Sequence, residues 1–416
     1  MKTLVNAYAC CPNMGSEPGM AWNWCVNLAQ YCELHIVTEG EFRDRIEKAV
    51  EELPQGKNMH FYYNPVSEMV RRMCWNQGDW RFYWHYRKWQ KRTADIAREI
   101  CKRESIEVLH QLNMIGFHEP GCLWKVSKEL SIPFIWGPIG GLKQYPLSYA
   151  ENAGWKVRCF LWLKNKLNRF HLHCGRNINE AFNQASFLIS SIPDSYLAIR
   201  KCKGLESIII PETGTFICER QDGHDFSSSN FTILWVGKFD YRKRLDIAIK
   251  AVAKAKESCP NISLKVYGTG SDVQVMKAAL ISHDVEATDF VMWEGNQPNE
   301  LVNEEMGKAH LFLFTSVNED TSTVVLEAVS NGLPVLCFDV CGMSSVINED
   351  IGFKIALTNP EQSIKDFAEK ITFLYYHRDV LRAMSENCAT RAKELSWDNK
   401  AKQVVALYQK AVEKGV

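Results

Sequence analysis

The sequence predicts an α/β protein of two doubly wound, Rossmann-like domains, and three observations carry that prediction. Short apolar runs alternate with helical stretches along most of the chain. A polar, turn-rich segment, ERQDGHDFSSSN, interrupts them at residues 219–230, and a second alternating series then begins. At 416 residues the chain is too long for one ordinary core.

In order, TLVNAYA, LHIVTEG, MHFYYN, IEVLHQL, PFIWG and SFLISS read as the strands of a first domain spanning residues 1–218. FTILWVG, ISLKVYG, DFVMWEG, HLFLFTS and LPVLCFD read as those of a second, residues 231–397, with 219–230 as the linker. From Pro360 the pattern is helical throughout. Near-continuous apolar strands separated by helices argue for parallel sheets covered on both faces.

Composition excludes several classes. Lysine plus arginine equal aspartate plus glutamate at 49 each, so bulk charge points to no nucleic-acid partner. Fifteen cysteines without a CxxC argue against a zinc ribbon or a disulfide scaffold and fit a reducing, cytoplasmic compartment. The opening MKTLVNAYACC is apolar, but Asn6 interrupts it and Pro12 follows, which suits a first strand rather than a signal segment. No apolar run reaches the ~18 residues of a membrane-spanning helix.

In open α/β sheets ligands bind beyond the carboxyl ends of strands, so the strand-to-helix loops are the place to look. The first, PNMGSEPGM at residues 12–20, carries Gly15 and Gly19 and leads into a helix. It is neither a GxGxxG fingerprint nor a P-loop. The second, GKFDYRKRL at 237–245, crowds Lys238, Arg242, Lys243 and Arg244 at a strand end, where an anionic phosphate would relieve the cationic charge.

The third, NEDTSTVVLE at 318–327, separates Glu319 from Glu327 by eight positions, roughly 12 Å if helical. Thr321, Ser322 or Thr323 caps the following helix, whose amino end favours a diphosphate. Two carboxylates flanking it suit the vicinal hydroxyls of a sugar and a ribose. The fourth loop, VLHQLNMIGFHEPG at 108–121, offers His110, Asn113, His118 and Glu119 as an acceptor side.

Two further stretches are basic and aromatic. Between Met69 and Arg103 ten arginines and lysines outnumber the acids and mix with Trp75, Trp80, Trp84 and Trp89; between Trp155 and Arg176 six basic residues occur with no acid. Such helices either lie on an anionic membrane surface or bury their apolar side while the cationic heads snorkel.

Taken together these segments resemble the retaining glycosyltransferases of family 4, also called group 1, which have the GT-B fold. GKFDYRKRLDIAIKA, KVYGTG, VMWEGNQPNEL and EDTSTVVLEAVSNGLPVLCFD are similar in order to that family's second-domain motifs, and ACCPNMGSEPGMAWNW and FIWGPIGG to its first. The resemblance implies that Glu319 contacts the transferred sugar and Glu327 the donor ribose. It implies that Lys238 and Lys243 hold the diphosphate, with Gly15 approaching it across the cleft and the amides of Thr323 and Val324 binding phosphate. Gly237, Gly268, Glu294, Asp320, Thr321 and Ser322 join them as the donor-binding set. One of His110, Asn113 and His118 stands on the acceptor side, and the last helix, about residues 398–416, crosses back to the first domain.

The chain departs from the family where EDTST replaces the commoner Glu-Gly-Phe-Gly and where Arg244 replaces glycine. The implied donor is a UDP- or GDP-type sugar, used without a cofactor or metal because no Asp-x-Asp is present. The implied acceptor is a glycan or lipid-linked glycan in envelope, capsular or exopolysaccharide assembly. The expected location is cytoplasmic, with a peripheral place on the membrane face if the basic helices touch lipid. A non-catalytic module of the same fold, a dinucleotide oxidoreductase and a glycosidase are the competing readings.

Overall fold

The computed structural model describes residues 1–76, 79–217, 223–270 and 289–415. Part of the expected linker, 219–222, lies outside the described residues. Two parallel sheets form the frame. The first holds β1 (Lys2–Ala7), β2 (Glu33–Thr38), β3 (Met59–Tyr63), β4 (Val108–Asn113), β5 (Phe134–Ile139), β6 (Phe187–Ser190) and β7 (Ile208–Ile209), in the order β3-β2-β1-β4-β5-β6-β7. The second holds β8 (Phe231–Val236), β9 (Ile262–Tyr267), β10 (Val291–Gly295), β11 (Leu311–Phe314), β12 (Val335–Phe338) and β13 (Gly352–Ile355), in the order β10-β9-β8-β11-β12-β13. The edge strands β7 and β13 are short, two and four residues, and were not among the expected strands.

The central strands β4, β5, β11 and β12 are buried at every position. Helices cover both faces, which is why these strands read as unbroken apolar runs rather than alternating ones. In each sheet the strand order reverses once among the described strands, between β1 and β4 and between β8 and β11. Loops diverge at such a switch point and leave a crevice at the carboxyl ends.

Connections between the sheets run in both directions. The last helix, Trp397–Gly415, leaves the second domain and packs on the helix Ser16–Leu28 of the first. Trp24 meets Trp397 edge to face at 5.6 Å, and Ala401, Val404, Val405 and Tyr408 continue the contact. In the other direction Tyr145, Tyr149 and Ala150, which follow β5, sit in the apolar core of the second domain. Tyr149 stands edge-on to Phe338 and shares a 2.7 Å hydrogen bond with Ser363.

Arg244 completes this second connection. Its guanidinium holds Asp246 at 2.8 Å and crosses to the Tyr149 carbonyl at 2.9 Å and the Glu151 carboxylate at 3.0 Å. Its backbone sits at φ 48°, the left-handed region that glycine occupies most easily.

Candidate active site

The two switch points face each other across one cleft of about 2480 Å³. On the first-domain side the loop after β1 places Gly15 at the amino end of the Ser16 helix, and the loop after β4 places Met114, Ile115, Gly116 and His118. On the second-domain side the loop after β11 brings Asp320 and Thr321, and the helix Thr323–Ser330 brings Thr323 and Glu327.

Of the expected donor residues, Gly15, Asp320, Thr321, Thr323 and Glu327 line the cleft, whereas Gly237, Lys238, Lys243, Gly268, Glu294, Glu319, Ser322 and Val324 are not among its lining residues. Lys243 and Glu319 form an ion pair beside it, both side chains largely buried. The pair arises because the turn after β8 and the loop after β11 are neighbours: Thr315 Oγ1 donates to the Lys243 carbonyl at 2.8 Å, and the Val317 N–H donates to the Arg242 carbonyl at 3.0 Å.

Lys238 projects into solvent one residue past Gly237. Gly268, at φ +127°, packs so closely that a Cβ there would stand 1.9 Å from the Gly237 oxygen. These glycines therefore let the ends of β8 and β9 meet without side chains between them. Glu294 lies in β10, toward the edge of the same sheet.

The helix begins at Thr323, with Ser322 as its cap position, so only the second half of the Glu319–Glu327 spacing is helical. The roughly 12 Å expected from a continuous helix does not apply to this pair. Glu327 lies in the helix with its carboxyl raised by burial and bonded to Asn299.

The three acceptor-side candidates separate. His110 is enclosed within the first domain, its Nδ1 2.5 Å from the Tyr408 hydroxyl of the last helix and its Nε2 2.7 Å from the Gly137 carbonyl. Burial lowers it to about 4, so it stays neutral and structural, away from the cleft. Asn113 is buried at the end of β4, its Nδ2 donating to the Ala9 carbonyl at 2.9 Å. His118 alone of the three lines the cleft, 3.0 Å from Asn168 Oδ1 and 3.2 Å from His171 Nδ1, and burial lowers its pKa.

Asp320 meets two acids that no motif indicated, Glu17 and Glu212, at the domain boundary. Glu17 accepts from the Ile115 N–H at 3.2 Å, Glu212 accepts from the Thr321 N–H at 2.5 Å, and Asp320 accepts from the Gly141 N–H at 3.5 Å. Burial raises all three carboxyls, Glu17 to about 7, and each acid in addition feels another nearby. The second oxygens of Glu17 and Glu212 are buried without a hydrogen-bond partner. Lys400, on the last helix, lies near Glu212, bonded to the Pro211 and Thr213 carbonyls and lowered by burial.

Among the described residues one set of side chains has metal-ligand spacing: Glu33, His35 and His60, whose ligand atoms lie within 4.8 Å of one another. It sits toward the amino ends of β2 and β3, opposite the cleft, and the Lys2 ammonium already holds Glu33 at 3.1 Å.

Residues 219–393 match the family described as glycosyl transferases group 1. The matched segment is the second domain, which resembles group 1 glycosyl transferases. The chain is 25% identical over 166 residues to the GtfA subunit of UDP-N-acetylglucosamine–peptide N-acetylglucosaminyltransferase of Streptococcus pneumoniae, covering 38% of this chain and 32% of that protein. It is 33% identical over 125 residues to lipopolysaccharide 1,6-galactosyltransferase of Escherichia coli, covering 29% and 33%. The matches thus span about a third of these relatives' length.

Solved structures extend the likeness to the whole chain. Anabaena HepE in complex with UDP superposes with a TM-score of 0.63 at 14% identity, covering 99% of this chain and 100% of that one. The lipopolysaccharide outer core galactosyltransferase WaaB gives 0.62 at 14% identity and full coverage of both. At that identity the likeness concerns the fold, which is the GT-B architecture of this transferase family. Lys243 and Glu319 stand in the loops after β8 and β11, and Glu327 in the helix that follows the second of these. Glu17, Glu212 and Lys400 had no motif to signal them, because each comes from a segment whose partner lies in the other domain or in the last helix.

Proposed function

We propose that this chain is a retaining family 4 glycosyltransferase, a hexosyltransferase that moves a sugar from a nucleotide-diphosphate sugar to a glycan or lipid-linked acceptor. The observation that carries the reading is the Lys243–Glu319 ion pair at the switch point of a group 1 domain, just before the Thr323 helix. It sets a cation for a diphosphate beside a carboxylate for sugar hydroxyls. Glu327 takes the ribose, and the UDP bound in HepE supports a UDP sugar ahead of a GDP sugar.

The bond from the sugar C1 to the diphosphate oxygen breaks while Lys238, Lys243 and the first amides of the Thr323 helix take up the developing charge. The acceptor oxygen bonds to C1 on the same face, and its proton passes to the departing diphosphate oxygen. These groups do the work a metal does elsewhere, so the reaction runs without one. Lipopolysaccharide is the acceptor named for the relative in E. coli, which supports a role in envelope, capsular or exopolysaccharide assembly at the cytoplasmic membrane face. Among the described residues no helix is long and apolar enough to cross a membrane.

The test is turnover with a panel of nucleotide sugars in the wild type, Glu319→Gln and Lys243→Met, with melting curves to verify folding. Each variant should lose about 10²–10³ in kcat, the cost of removing one transition-state contact. Unchanged turnover in both would overturn the assignment. Nucleotide sugars that raise the melting temperature of the wild type without transfer or hydrolysis on any acceptor would favour the non-catalytic module instead.

A further inference from the structure

The helix Gly154–Cys174 buries only Leu161 and Leu172 of its own side chains. Phe160, Leu163, Lys164, Leu167, Asn168 and His171 recur every three to four residues along one face, and that face lines the cleft. Phe160 remains 60% exposed there, with Leu163 and Leu167 about half exposed. The helix Arg81–Arg103 stands on the same side, with Trp80, Tyr83 and Trp84 also exposed along the cleft.

The same wall is cationic. Lys88, Lys91, Lys164 and Arg176 line it without an ion-pair partner among the described residues, and Lys88 lies 3.4 Å over the Trp84 ring. The nearby carboxylate, Glu119, is already held by Arg87 at 2.6 Å. Turning outward from the cleft, the Gly154 helix presents Trp155, Arg158, Trp162, Lys166 and Arg169, all exposed, at the spacing of a second face.

A neutral sugar acceptor would use neither the apolar stripe nor the spare cations. A soluble anionic glycan would use the cations alone, and a neutral lipid the stripe alone. Resting on the transferase reading above, we propose that the first-domain wall binds an anionic amphiphile as acceptor. Its charged head lies among Lys88, Lys91, Lys164 and Arg176, and its hydrocarbon chain runs along Phe160, Leu163 and Leu167. The amphiphile is drawn from an anionic lipid surface on which the outward face, with Trp155 and Trp162, is seated. Tryptophan beside lysine and arginine suits that boundary, where one end of the side chain is apolar and the other wet.

The experiment compares calorimetric binding of farnesyl diphosphate, inorganic diphosphate and octyl glucoside to the full chain. Farnesyl diphosphate should bind at least about tenfold more tightly than either, since only it offers both head and chain. The double substitution Phe160→Ser, Leu167→Ser and the single Lys164→Ala alter exposed side chains and should each weaken it about tenfold. The thermal shift given by UDP should stay unchanged in both. Equal binding by inorganic diphosphate or octyl glucoside, or unaltered binding in the variants, would overturn the proposal.

Vesicles test the source. Co-sedimentation with vesicles of about 30% phosphatidylglycerol in phosphatidylcholine should exceed that with phosphatidylcholine alone and fall in Trp155→Ser, Trp162→Ser. Binding of the monomeric diphosphate without any vesicle binding would overturn the lipid-surface half. Failure of every nucleotide sugar to shift wild-type melting would instead remove the transferase reading, and that result is separate from the amphiphile measurements.

Discussion

One wall of the cleft is basic and apolar, and the other is polar and acidic. The first-domain wall is built from the Arg81 and Gly154 helices, with exposed Trp84, Phe160 and Leu167 among unpaired lysines. The second-domain wall presents Asn299, Glu300, Asn303, Glu304, Thr323 and Glu327, hydrogen-bonding groups for hydroxyls. The family match, residues 219–393, bears on the second wall. On the function proposed above, donor chemistry belongs to the matched second wall and acceptor chemistry to the first, so each wall can be altered while the other still works.

The sharpest way to break that division is to sever what joins the walls. Arg244→Ala removes the guanidinium that spans Asp246, Tyr149 and Glu151, and urea unfolding should show a loss of about 3–5 kcal/mol. Next comes pH. Burial raises Glu17 from 4.5 to about 7, so its contribution to stability is fully present below about 4.5 and is lost as pH rises through 7. Glu17→Gln should flatten that dependence and unfold with up to about 3 kcal/mol more stability than wild type at pH 8, measured in urea. Wild-type and variant curves that stay parallel from pH 5 to 8 would contradict it.

Smaller effects separate the walls individually. Glu327→Gln should weaken nucleotide-sugar binding by about 1.5–3 kcal/mol, the worth of a charged hydrogen bond, with the acceptor's KM unmoved. Raising salt from low to physiological strength should weaken acceptor binding a few-fold and leave the partly buried donor contacts nearly unchanged, which initial rates at several salt concentrations would read. If both substrates respond alike to salt, the contrast between the walls is wrong.

Much of the frame was legible because β-strands buried on both faces leave long apolar runs. FTILWV and HLFLFTS became β8 and β11, with the basic and acidic loops directly after them. The short β7 and β13 left no such run. Among His110, Asn113 and His118 the sequence offered no choice, since a strand buried at every position gives no alternation to read; only the residue beyond the strand end reached the cleft. The basic aromatic stretches were ambiguous for a related reason. Trp89 is buried while Trp80 is 77% exposed, and which face of a helix finds a neighbour is decided by packing far away in the chain. The cluster of Glu17, Glu212 and Asp320 was illegible because its members approach only when two domains and the last helix come together.

Tyr149 stands five residues before Gly154, where the helix starts after the short turn Glu151–Ala153, and its ring is held in the core of the other domain. The first-domain wall is therefore anchored in the core of the second domain. A movement of that domain would be transmitted as tilt of the helix, and any lipid surface beneath it would resist. On the lipid surface proposed above, the membrane would act as ground for the stroke as well as the store of substrate.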